Sequence, residues 1–149
     1  MLRFIYFLLS IFYFFCANTT NALQSNWSGI DEAKVRIISP LSKTGVHHNI
    51  YLGLEYQLQE GWKTYWSSPG EGGYPQTLDW KNSTNVSSLE ILWPQPKEFD
   101  ILGLKSIGYE NEVIFPLKVE LENIHRPSFF SFELNYLTCK EICIPGQVH

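Results

Sequence analysis

The sequence predicts an all-β protein built as one antiparallel β-sandwich, and three observations carry that expectation. Apolar and polar residues alternate with a period of two over several stretches, which turns one face of a strand toward a core and the other toward water. Ten Phe, eight Tyr and five Trp beside a single Met suit pleated, half-buried surfaces better than helix packing. Runs rich in Gly, Pro, Asn and Ser punctuate the alternation at intervals that fit short sandwich strands. With 149 residues, 44% hydrophobic and 17% charged, the chain can form one domain and is not a disordered tail. A net charge of −4 without any basic run argues against a nucleic-acid partner held by its phosphates.

From the N-terminus onward, residues 1–22 are expected to be a secretory signal. Arg3 precedes the uncharged apolar segment 4–17, and Thr20-Asn21-Ala22 offers small residues at the −3 and −1 positions of a cleavage site after Ala22. The segment is shorter than the ~20 apolar residues that cross a bilayer; left uncleaved, it would be an N-terminal anchor. Cys16 leaves with the signal, since bulky Phe15 stands where lipid attachment needs a small residue. The remaining residues, 23–149, are read as one exported domain.

Within that domain, Ala33, Val35 and Ile37 alternate with Lys34 and Arg36. Ile50, Leu52, Leu54, Tyr56 and Leu58 alternate with Asn49, Glu55, Gln57 and Gln59. Shorter strands are expected at 62–66, 77–80 and 88–93, with loops at 67–73 and 82–85 on Gly, Pro and Asn grounds. Val113, Phe115, Leu117, Val119 and Leu121 form one face of a strand over 112–122. Pro116, which cannot donate to a ladder, predicts a sheet edge or a bulge there. Phe130, Phe132, Leu134 and Tyr136 mark the last strand.

Once the signal is gone, Cys139 and Cys143 are the two cysteines left, in a compartment where thiols oxidise. Extended chain would separate their Cα atoms by about 13 Å, beyond the ~7 Å a disulfide tolerates. If they bridge, the chain is expected to leave the strand near Leu137, where the alternation breaks, and to turn; Pro145 confines that turn to the pair. A structural staple is the ordinary reading for two cysteines in a secreted protein. Yet closing so small a loop adds only about 2 kcal/mol of stability, and small-loop disulfides suit redox exchange, where one thiolate attacks and its neighbour resolves. Lys140 favours a thiolate and Glu141 opposes it, so local charge does not choose the nucleophile. A soft metal on the two thiolates, with His47, His48 or His149 as further ligands, is the third reading, though these histidines show no ligand spacing. No cofactor is expected. Asn26, Asn82 and Asn85 begin glycan-acceptor triplets, which a chain this rich in Asn and Ser produces by chance.

Four strings in order, Gly61-Trp-Lys-Thr-Tyr-Trp66-Ser-Ser-Pro-Gly70, Ile91-Leu-Trp-Pro94, Ser106-Ile-Gly-Tyr-Glu110-Asn-Glu-Val-Ile-Phe-Pro116 and Tyr136-Leu-Thr-Cys139-Lys-Glu-Ile-Cys143-Ile-Pro145, resemble the N-terminal periplasmic domain of the thiol:disulfide interchange protein DsbD, in its ScsB-like branch. The resemblance implies an immunoglobulin-like sandwich and a protein-disulfide reductase type of activity. Cys139 and Cys143 would be its redox pair, charged by a membrane-embedded thiol electron donor and discharged to exported thioredoxin-like or disulfide isomerase proteins. Trp62, Tyr65, Trp66 and Tyr109 would pack the core or shield the disulfide. Because only residues 144–149 follow Cys143, a sandwich short of its last strand, a truncated or split relic, is one outcome the sequence allows.

Overall fold

The computed structural model describes residues 23–101 and 103–149; the expected signal lies outside them. The described chain forms twelve strands and no helix. They are β1 (Leu23–Gln24), β2 (Ser28–Ile30), β3 (Ala33–Ser39), β4 (Asn49–Leu58), β5 (Lys63–Gly70), β6 (Thr77–Asp79), β7 (Val86–Ile91), β8 (Lys97–Ile101), β9 (Leu104–Glu110), β10 (Glu112–Leu121), β11 (Glu133–Cys139) and β12 (Cys143–Val148). One sheet runs β1-β3-β4-β10-β7 with β2 also on β3; the other runs β12-β11-β5-β9-β8 with β6 also on β11. Every pairing is antiparallel.

The expected alternations become the faces of the first sheet. Ile50, Leu52, Leu54, Tyr56 and Leu58 of β4 are buried beside Val113, Phe115, Leu117, Val119 and Leu121 of β10, in a register running from Glu112↔Gln57 to Glu120↔Asn49. Phe115 sits at the centre of the core, meeting the rings of Tyr56, Trp93 and Tyr109 edge to face at centroid distances of 5.5, 5.4 and 5.0 Å. Tyr136 carries the core across to the second sheet. Its hydroxyl donates to the Ala33 carbonyl at 3.0 Å and accepts from the Ile30 N–H at 3.3 Å, tying β11 to the start of β3.

Four expectations need correction. Pro116 lies in a strand flanked on both sides and at no bulge; the register shift in β10 falls between Glu120 and Leu121. The Pro116 carbonyl accepts from the Leu92 N–H at 2.8 Å, so the donor it lacks faces the β7 side just where β7 has ended at Ile91. The Gly- and Pro-rich stretch after Trp66 is not all loop, because β5 continues to Gly70 with an irregular register against β9. The strand expected from Phe130 begins at Glu133. Finally, the sandwich has a strand after the second cysteine, since Cys143–Val148 pairs with β11 from Cys139↔Cys143 to Leu134↔Val148. Pro145 fits there because β12 is a sheet edge. Gly146 fits because a Cβ would stand 2.2 Å from the Tyr136 ring opposite it.

Candidate active site

The β11–β12 hairpin brings the two cysteines directly opposite each other, with a disulfide between them and their Cα atoms 4.1 Å apart. The chain does not leave the strand at Leu137, as the broken alternation suggested; β11 runs straight through Cys139, and the turn is made by residues 140–142, with the Lys140 N–H bonded to the Ile142 carbonyl at 3.0 Å. The alternation breaks because both faces of β11 are covered at this end. Leu134 and Tyr136 face the main core, while Leu137 and Cys139 join a second, smaller core of Tyr65, Ile101 and Phe99 on the other face.

That cover makes the two sulfurs unequal. Cys139 is fully buried, whereas Cys143, on the edge strand, is exposed. Ile142, next to it in the turn, leaves 63% of its surface open. Tyr65 keeps its place over Cys139 partly through the segment after Gly70. Gly73, at φ +91°, lies so close to the Tyr65 ring that a Cβ there would be 2.2 Å from it. Burial pushes the Tyr65 phenol above its ordinary range, so it is neutral at physiological pH.

The backbone of Cys139 is held by two threonines. Only Thr138↔Thr64 and Cys139↔Lys63 pair β11 with β5. The Thr64 hydroxyl donates to the Leu137 carbonyl at 3.1 Å and the Thr138 hydroxyl to the Lys63 carbonyl at 3.0 Å, so the short ladder gains a bond in each direction. Two cations border the pair. The Lys63 ammonium lies 5.2 Å from the centroid of the Phe99 ring and donates to the Gly61 carbonyl, and Lys140 donates to the Glu60 carbonyl at 3.3 Å.

Of the aromatic residues expected either to pack or to shield, Trp62, Trp66 and Tyr109 belong to the main core and Tyr65 to the cover of Cys139. Sequence reasoning missed Phe99 and Ile101, although their one-residue spacing before Gly103 is a short strand signal, and it missed Lys63 and the two threonines, whose role exists only across strands. The histidines of the metal reading are not assembled. His48 precedes the far end of β4, whose ten residues span roughly 30 Å, and His149 follows Val148 at the open end of the hairpin. Among the described residues no three His, Cys, Asp or Glu side chains are grouped to hold a metal ion. Asn85 is committed to the fold, its side-chain amide donating to the Asn123 and Arg126 carbonyls and to Ser128.

Residues 37–149 match the family described as thiol:disulfide interchange protein DsbD, N-terminal. The chain belongs to the DsbD N-terminal domain family. The crystal structure of the N-terminal periplasmic domain of ScsB from Proteus mirabilis is similar, with a TM-score of 0.71 and 32% identity, over 86% of this chain and 50% of that one. This chain thus spans half the length of that relative. No match is found among curated proteins. The two antiparallel sheets are those of the immunoglobulin-like DsbD N-terminal fold.

Proposed function

We propose that this DsbD N-terminal-type domain exchanges thiols and disulfides in the periplasm through Cys139 and Cys143, with Cys143 the sulfur that meets partners. The observation that carries this is the contrast between a fully buried Cys139 and an exposed Cys143 in one cross-strand disulfide. In the discharging step, the Cys143 thiolate attacks a disulfide of an exported thioredoxin-like or disulfide isomerase protein. A mixed disulfide forms and one partner sulfur leaves as a thiolate. Cys139, held opposite, then attacks Cys143 Sγ, which re-forms the Cys139–Cys143 bond and releases the partner carrying two electrons more. Recharging runs the other way. A thiolate of a membrane-embedded donor attacks Cys143 Sγ, Cys139 leaves as a thiolate, and the donor's second thiol resolves the intermediate.

Substituting each cysteine tests the assignment. Cys139→Ser should still attack an oxidised thioredoxin-like protein and accumulate as a mixed disulfide through Cys143, because the resolving sulfur is gone. Cys143→Ser should show no exchange at all. Both should fold, since the bridge closes too few residues to add more than about 2 kcal/mol. Full exchange by both variants, or unfolding of both, would return the disulfide to the role of a staple; trapping by Cys143→Ser alone would exchange the two roles.

A further inference from the structure

At the end of the sandwich opposite the disulfide, the two sheets leave a cavity of about 960 Å³ between them. Its apolar wall comes from Val35, Ile37, Leu52 and Leu54 of the first sheet and from Leu134 and Phe132 on the other side. Val35, Leu52, Leu54 and Leu134 form its buried floor, while Leu23, Leu41 and Tyr51 around its mouth are exposed, so it is a cleft between the sheets that opens to solvent. It stays open because paired strands do not close this end. The irregular segments 41–45 and 126–132 border it instead, the latter with Phe130 and Phe132 stacked at 6.1 Å. The volume is at the upper end of the ~300–1,000 Å³ typical of small-molecule sites, which are concave, mostly apolar and carry a few polar groups for orientation.

Charge indicates what kind of molecule fits. The chain has 15 Asp and Glu against 11 Lys and Arg, yet among the described residues no Asp or Glu side chain lines the cavity. Three cations do. Arg36 is already paired with Glu55, but Lys43 and Arg126, both exposed on the bordering segments, form no ion pair among the described residues. An apolar interior behind a cationic rim is complementary to a molecule with one long hydrocarbon chain and one anionic head. A diacyl lipid far exceeds the drug-sized ligands that such a volume encloses.

We propose that this cavity binds a single free long-chain fatty acid, its chain between the sheets and its carboxylate at Lys43 and Arg126. The site stands at the other end of the β11–β12 hairpin from Cys139 and Cys143, five residues or about 17 Å along β11, so occupancy and thiol exchange are separate properties.

The test is a titration of the purified exported protein with cis-parinaric acid, a fluorescent fatty acid, followed by displacement with palmitate or with hexadecanol, which has the same chain length and no charge. Saturable one-to-one binding is expected, with palmitate displacing the probe at least tenfold better than hexadecanol. Lys43→Glu combined with Arg126→Glu should weaken the probe at least tenfold while leaving the thermal midpoint and the thiol-exchange rate unchanged. These exposed substitutions keep the test decisive even where the cavity-filling variant Leu52→Trp fails to fold. Absence of saturable binding overturns the proposal, as does equal displacement by hexadecanol or undiminished binding in the charge-reversed protein. Adsorption to phosphatidylglycerol vesicles without uptake of free palmitate, or a dimer whose formation excludes the probe, assigns the surface to a membrane or to a second copy and equally overturns it.

Discussion

Phe99 is the residue whose removal should change the disulfide most without touching sulfur. Its ring lies in the small core with Tyr65 and Cys139, under the Lys63 ammonium. Phe99→Ala opens that cover, and the rate of reduction of Cys139–Cys143 by dithiothreitol should rise several-fold. Because the ring is only half buried, the loss of stability should be roughly 1–3 kcal/mol, at or below the lower end for buried Phe-to-Ala changes. An unchanged rate would mean that the ring serves packing alone. Tyr109 sets a different expectation, at alkaline pH. Burial pushes its phenol up to about 12 from an ordinary 10, so between those values the unfolded chain has lost a proton that the folded chain keeps. Stability is therefore fully present below pH 10 and falls as the pH rises through 12. Tyr56 and Tyr136, also raised by burial, act in the same direction. Tyr109→Phe should flatten part of that alkaline slope in urea titrations, at the cost of about 1 kcal/mol near neutrality for the bond to the Pro94 carbonyl. A slope identical to the parent's would contradict the assignment.

At the scale of elements, the junction of β5 and β11 decides how firmly Cys139 is held. With two register pairs, this is a short ladder, and the hydroxyls of Thr64 and Thr138 extend it. Thr138→Val keeps the shape and removes one bond inside the core, so it should destabilise the protein by about 1–2 kcal/mol in urea unfolding. Thr64→Val should do the same, and the loss should be no smaller in the reduced protein, where the hairpin has no covalent clasp. If reduction abolished the effect of both substitutions, the disulfide and not the threonines would be holding β11 in place. β12 illustrates how an edge strand hides in a sequence. Only residues 144–149 follow Cys143, too few to announce a closing strand, yet Pro145 needs no partner on an open edge, and Gly146 gives room to the Tyr136 ring. Pro116 misleads in the opposite sense, since which neighbour a strand lacks at a given residue is a tertiary fact.

For the whole molecule, what was legible followed from one-sided burial. β3, β4 and β10 each set one parity against the main core, and that shows directly as alternation around Val35, Leu54 and Phe115. The cysteine pair was legible from spacing and from the resemblance, but its asymmetry was not. Burial of Cys139 depends on Tyr65 of β5 and on Phe99 and Ile101 of β8, and no local pattern records that meeting. The same covering of the outer face is why Leu137 and Thr138 looked like the end of the strand. The central claim, that the disulfide is an exchanging pair, is tested most directly by its reduction potential, measured at equilibrium against glutathione and thioredoxin couples. Structural disulfides sit below about −300 mV, whereas a relay pair must lie close to the potentials of its partners. The account predicts that Cys139–Cys143 equilibrates with the thioredoxin couple at a potential above about −300 mV; a bond that stays oxidised against that couple, with a potential well below that value, would contradict it.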